Sequence, residues 1–129
     1  AGELLDGNHS AVRTYLSHIW NTWSLDPGLT ASAAFDELVA DYARLGAFSA
    51  SIAWYRDNLV IPPATVITVP TIMVWPEDDV LFDISWADRL DDWFTDVALV
   101  PVPGSGHFVP LEAPQVFADA ITQLAERRH

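Results

Sequence analysis

The sequence predicts an α/β chain: three helices, then strand, helix, strand, helix, with the two strands parallel and part of a sheet that needs further strands. Three observations predict it. Apolar residues as far as Leu59 recur at helical spacings. The pair Pro62-Pro63, which no helix crosses, opens a stretch rich in β-branched residues. Two short apolar runs then flank another helical pattern. The division falls between a helical segment, 1–61, and a strand-bearing segment, 62–129.

From Ala11 to Trp23 the apolar positions Val12, Tyr15, Leu16, Ile19, Trp20 and Trp23 lie three and four apart, the mark of an amphipathic helix. Asp26-Pro27-Gly28 breaks it. A second helix follows Ser32, with Phe35, Leu38, Val39 and Tyr42 on one face, Asp36 and Glu37 in its first turns, and Gly46 as its stop. A third runs from about Ala47 to Asn58 with the stripe Phe48, Ile52, Tyr55 and Leu59.

Thr71 to Trp75, TIMVW, lacks the apolar-polar alternation of a half-exposed strand and is expected to be buried on both faces. The polar loop PEDD ends it. Asp83 caps a helix carrying Ile84, Ala87, Leu90 and Phe94, after which Ala98 to Val102 forms the second strand. A loop with Pro103, Gly104 and Gly106 leads to Pro114, which suits the first turn of a last helix facing inward with Phe117, Ala120, Ile121 and Leu124. The six tryptophans fall mostly at periodic core positions. Two short strands leave unpaired backbone groups at their edges, so the chain alone is expected to self-associate as a homo-oligomer or to be poorly soluble.

Composition narrows the function. Half of the 129 residues are hydrophobic, which suits a packed globular protein. A formal charge of −12 repels nucleic acid and anionic lipid, so neither is an expected partner. The absence of cysteine removes disulfides, thiolate metal sites and a cysteine nucleophile. His9, His18 and His129 have no companions at metal-ligand spacing, so no metal is expected. The sequence contains no apolar run long enough to span a membrane, and AGELLDGNHS lacks the basic start and apolar core of a signal peptide. The expectation is a soluble, cytoplasmic protein.

Asp79 follows one parallel strand and His107 lies in the loop after the next, so both fall at the carboxyl edge of the sheet, where open α/β folds hold their sites. A carboxylate accepting the Nδ1 proton fixes the imidazole tautomer and stabilises the imidazolium formed when Nε2 takes a proton. On spacing alone, a solvated turn acid and a structural histidine remain the alternative. Asp78 is the weaker candidate for the acid. Ser105, in PGSGH, has no helix after it and is read as a turn residue.

The stretch VPTIMVWPEDDVLF, followed by the histidine of VPGSGHFVPLEAP, resembles the end of the α/β-hydrolase family, in which a strand, a G-x-x-D turn, a helix, a strand and a G-H-[FW] turn occur in this order. The resemblance puts Asp79 at the acid position and His107 at the base position, with Pro76 where the family usually has glycine. The preceding helices resemble the lid inserted before the last strands in the epoxide hydrolase and haloalkane dehalogenase branch. Within them LGAFSASIAWYRDNL resembles the epoxide hydrolase lid segment whose W-Y-R tyrosine donates a hydrogen bond to the epoxide oxygen. The resemblance thus implies Tyr55 as that donor, although Tyr55 also lies on the apolar stripe of its own helix and packing is the alternative.

The resemblance implies the C-terminal part of an α/β-hydrolase fold, with residues 1–61 as lid and 62–129 as core. The implied activity is cofactor-independent hydrolysis of an apolar small molecule, epoxide hydrolysis first. Trp75, Phe108, Phe82 and Trp54 are the implied substrate-binding side chains. The nucleophile elbow, a Ser or Asp on a strand-to-helix turn, does not occur in the sequence. The implied partner is a complementary N-terminal hydrolase polypeptide carrying it, without which this chain should not turn over. Esterase or lactonase activity, haloalkane dehalogenation, or a non-catalytic binding subunit are the alternatives.

Overall fold

The computed structural model describes residues 2–60 and 63–126. Ile61, Pro62 and the terminal Arg127-Arg128-His129 lie outside them, and with them the expected segment boundary and the reading of His129. The chain forms two compact units, one of Ala1–Thr22 with Pro27–Pro63, the other of Trp23–Asp26 with Ala64–His129.

The first unit is helical: α1 (Gly2–Leu5), α2 (His9–Trp23, whose last residue belongs to the second unit), α3 (Ala33–Tyr42) and α4 (Ala47–Asp57), with a 3-10 turn at Leu29–Ala31. Its core is made by the positions that the helical spacing selects: Val12, Leu16, Phe35, Val39 and Phe48 are buried, with Trp20, Leu38, Tyr42 and Ile52 packed around them. The Trp20 and Phe35 rings meet at 5.1 Å, and Tyr15 meets Phe48 edge-on at 5.3 Å. Ser32 caps α3 by accepting the Phe35 N–H, satisfying one of the donors that a helix start leaves free.

Two expectations for this unit need correction. Gly46 does not stop α3, which ends at Tyr42; it stands at the N-cap of α4 with φ of 82°, a left-handed turn that suits glycine. The stripe of α4 fails beyond Ile52, because Tyr55 is 70% exposed and Leu59 lies past the helix end at 81%.

The second unit contains strands β1 (Thr71–Pro76) and β2 (Val97–Val102), paired in parallel with Val74 opposite Val100 and Pro76 opposite Val102. Two helices complete it, α5 (Val109–Glu112) and α6 (Pro114–Glu126), and α6 packs on β1. The crossover between the strands is a 3-10 segment, Ile84–Asp92, kinked at Arg89, rather than the expected α-helix. Asp83 caps it, accepting the Ser85 N–H at 2.9 Å.

β1 is only half-buried from Thr71 to Trp75, against the expectation of two covered faces. On α6, Ala120 is buried while Phe117 and Ile121 stay 40% and 59% exposed. Trp54, Trp86 and Trp93 are exposed as well, so the expected core placement of the tryptophans is corrected. For β1 and α6 the cause is that a two-stranded sheet has one neighbour per strand and covers little apolar surface.

Candidate active site

Backbone pairing past the strand ends sets the site. The Glu77 N–H donates to the Val102 carbonyl at 3.1 Å and the Asp78 N–H to the Ser105 carbonyl at 3.2 Å, so the loop after β1 runs beside the loop after β2. The Asp78 carboxylate accepts the Gly104 N–H at 3.0 Å, with Gly104 in the left-handed region at φ of 69°. Asp78 is thereby turned to the backbone, and Asp79 is presented to the imidazole.

Oδ2 of Asp79 lies 2.9 Å from Nδ1 of His107, while its Oδ1 accepts the Leu81 N–H at 2.8 Å. The second bond fixes the carboxylate plane. The Asp79 side chain is 4% exposed and that of His107 24%. Burial opposes ionisation of Asp79, but the Leu81 N–H, the His107 bond and charge and the Phe82 N–H outweigh it, holding the carboxyl below its ordinary 3.8. An ionised carboxylate accepts only, so Nδ1 donates to it, and in the neutral imidazole the lone pair is then on Nε2.

Pro76, where the resembled family has glycine, is accommodated: it ends β1 in register with Val102 and is buried. No described residue other than glycine has positive φ, so the acid turn that follows needs no left-handed residue.

Three aromatic rings surround the imidazole, Trp23 and Phe108 edge-on at 5.3 Å and Phe82 tilted at 5.6 Å. A cavity of about 250 Å³ is bounded by Asp79, His107, Trp75, Phe82, Val109 and Phe117, apolar apart from the pair. The Trp75 indole N–H donates to the Phe82 carbonyl at 2.9 Å, joining the strand end to the loop beyond the acid. Phe108 touches His107 but does not line that cavity. Tyr55 and Trp54 belong to the first unit, exposed and edge-to-face with each other at 5.1 Å. Ser105 is 2% exposed, with its hydroxyl directed at the Gly106 carbonyl.

Two residues at the site escaped the sequence reading. Glu112 accepts the N–H groups of Gly106 at 2.9 Å, Phe108 at 3.1 Å and Leu25 at 3.1 Å. Trp23 contributes its ring and also its carbonyl, which accepts the His107 N–H at 2.8 Å. Neither carries a sequence signal, since both act across the chain or through the backbone. Among the described residues no group of three or more His, Asp or Glu is placed to hold a metal ion, and no helix is long and apolar enough to cross a membrane.

No family profile matches the chain. It is 30% identical over 94 residues to epoxide hydrolase 3 of Mus musculus, a match covering 69% of this chain and 25% of that protein. It is 39% identical over 62 residues to haloalkane dehalogenase 2 of Mycobacterium tuberculosis, covering 47% and 22%. The chain thus spans about a quarter of the length of these relatives. Of solved structures, the Cfl2 protein of Burkholderia cenocepacia superposes with a TM-score of 0.71 at 24% identity, over 86% of this chain and 40% of that one. An epoxide hydrolase of the α/β-hydrolase superfamily from hot-environment metagenomes superposes with 0.66 at 20% identity, over 94% and 50%. The chain is therefore a relative of the epoxide hydrolase and haloalkane dehalogenase branch of the α/β-hydrolase superfamily, and it has the C-terminal part of that fold.

Proposed function

We propose that this chain supplies the acid and the base of a hydrolase whose nucleophile stands on a complementary N-terminal portion, and that the reaction is epoxide hydrolysis. The observation that carries the reading is the 2.9 Å contact between His107 Nδ1 and Asp79 Oδ2 beside an apolar cavity. The relatives supply the reaction class.

In this reading an upstream Asp carboxylate attacks an epoxide carbon, the C–O bond breaks, and an alkyl ester of the enzyme forms. Tyr55, on the segment that serves as lid, donates its phenolic proton to the oxygen that leaves. His107 Nε2 then takes a proton from water as the hydroxide adds to the ester carbonyl, and Asp79 stabilises the imidazolium. Collapse of the adduct returns the Asp carboxylate and the diol, and the proton held by His107 restores the Tyr55 phenol, so that the net change is addition of water to the epoxide. Trp75 and Phe82, which line the cavity, are the apolar contacts for the substrate.

The same pair serves a Ser nucleophile in an esterase or lactonase, and the 39% identity to a haloalkane dehalogenase favours halide displacement as the second reading. The test is to join the chain to the polypeptide encoded upstream and to assay epoxides, haloalkanes and esters. Epoxide turnover abolished by His107→Ala supports the proposal. Turnover that survives His107→Ala overturns it, and haloalkane or ester turnover without epoxide turnover replaces the substrate class.

A further inference from the structure

We infer that Glu112 is a positioning residue, which sets the backbone on both sides of His107 and through it the imidazole's bond to Asp79. The inference rests on the proposed role of His107 as the base.

The loop between β2 and α5 has no strand partner or helix to use its N–H groups, yet three consecutive ones are bound. Those of Gly106 and Phe108 go to Glu112, and that of His107 goes to the Trp23 carbonyl. Left without acceptors in this half-buried place, each would cost free energy comparable to a lost hydrogen bond. Glu112 uses both oxygens. Oε1 takes Phe108, and Oε2 takes Gly106 together with Leu25, which belongs to the segment 23–26.

One carboxylate therefore ties the histidine loop to the backbone that also accepts the His107 N–H. The approach is close: a Cβ at Gly106 would stand 2.5 Å from the Trp23 carbonyl oxygen. With the peptides on both sides held, the His107 ring is directed at Asp79 between Trp23 and Phe108.

Glutamine is no substitute at this position. Its amide offers one acceptor oxygen, so its NH2 must face either the Phe108 N–H or the Gly106 and Leu25 pair, donor against donor. Both Glu112→Gln and Glu112→Ala should loosen the imidazole.

Nitrogen-15 NMR of the chain tests this, reading the His107 Nδ1–H resonance and its exchange with water, with the amides of Leu25, Gly106 and Phe108 alongside. Asp79→Asn identifies the Nδ1–H signal by removing its acceptor. In both Glu112 variants that proton should exchange at least tenfold faster than in the unsubstituted chain, while the amides of Val12, Phe35 and Val39 keep their protection. An unchanged Nδ1–H in folded Glu112→Gln or Glu112→Ala overturns the inference.

The unsubstituted chain supplies a measurement that needs no variant to fold. The Gly106, His107 and Phe108 amides should be protected together, and exchange at the rate of open loops while the Nδ1–H persists would also overturn it. These readouts do not depend on activity. Were His107 not the base, hydrolysis by the completed enzyme would survive His107→Ala with the NMR result intact.

Discussion

The carboxylates of Asp78 and Asp79 are neighbours in sequence with different partners: Asp78 accepts the Gly104 N–H at 3.0 Å, whereas Asp79 faces Nδ1 of His107 at 2.9 Å. The division follows from the pairing of the Asp78 N–H with the Ser105 carbonyl, which lays the Asp78 residue along the second loop and leaves Asp79 at the imidazole. Asp79→Asn in the completed enzyme should lower kcat by about 10³- to 10⁴-fold through loss of the productive tautomer. Asp78→Ala, which removes the acceptor of the Gly104 N–H and touches no atom of the ring, should lower kcat far less and reduce stability by about 0.5–1.5 kcal/mol. Steady-state kinetics and urea unfolding of the two variants separate the roles.

The lowered Asp79 carboxyl makes stability depend on pH in a defined direction. A group whose folded value lies below its unfolded one stabilises fully above the unfolded value, here 3.8, and the contribution disappears as pH falls through the folded value. Asp6, held down first by the Ser49 hydroxyl, and Asp83, held down first by the Ser85 N–H, act in the same direction. The stability difference between the chain and Asp79→Asn should accordingly shrink as pH drops below 3.8, measured by urea midpoints across a pH series. A difference that stays constant would show that ionised Asp79 stabilises nothing.

Gly106→Ala should cost about 1–3 kcal/mol through forced displacement of backbone from backbone. The added methyl meets the Trp23 carbonyl oxygen at 2.5 Å, an atom without freedom to rotate away. Differential scanning calorimetry reads the loss.

Tyr55→Phe separates a chemical role from a packing role. The ring is 70% exposed, so removal of the hydroxyl should change stability by no more than about 0.5 kcal/mol. In the completed enzyme the same change should lower epoxide turnover by about 10- to 1000-fold if the phenol donates to the leaving oxygen. Unaltered kcat on epoxides would remove Tyr55 from the reaction.

The helical unit offers a test of its own core. Phe35 is fully buried and packs against the Trp20 ring, so Phe35→Ala should cost about 3–5 kcal/mol. Ser32→Ala, which deletes the cap on the Phe35 N–H, should cost about 1 kcal/mol. Chemical denaturation followed by helix circular dichroism measures both.

Local pattern was sufficient for much of the architecture. The three- and four-residue spacing of Val12, Leu16, Phe35, Val39 and Phe48 is a property of the helix itself, and those residues form the core of the first unit. The β-branched runs after the proline pair, separated by a crossover, were sufficient for two parallel strands, and the order of acid loop and histidine loop puts both at one sheet edge.

What only the tertiary structure decided concerns groups that meet across the chain. Periodicity names the apolar face of a helix or strand but not what covers it, so it could not show that Tyr55, Trp86 and Ile121 would be exposed or that β1 would be half-buried. It could not separate Asp79 from Asp78, because the choice is made by backbone hydrogen bonds to Gly104 and Ser105. Nor could it reveal Glu112, whose partners are Gly106 and Phe108 nearby and Leu25 far away in the sequence, all joined through main-chain N–H groups that every sequence possesses. Side-chain pattern is written in the sequence, whereas the satisfaction of buried backbone donors is settled only when the chain folds.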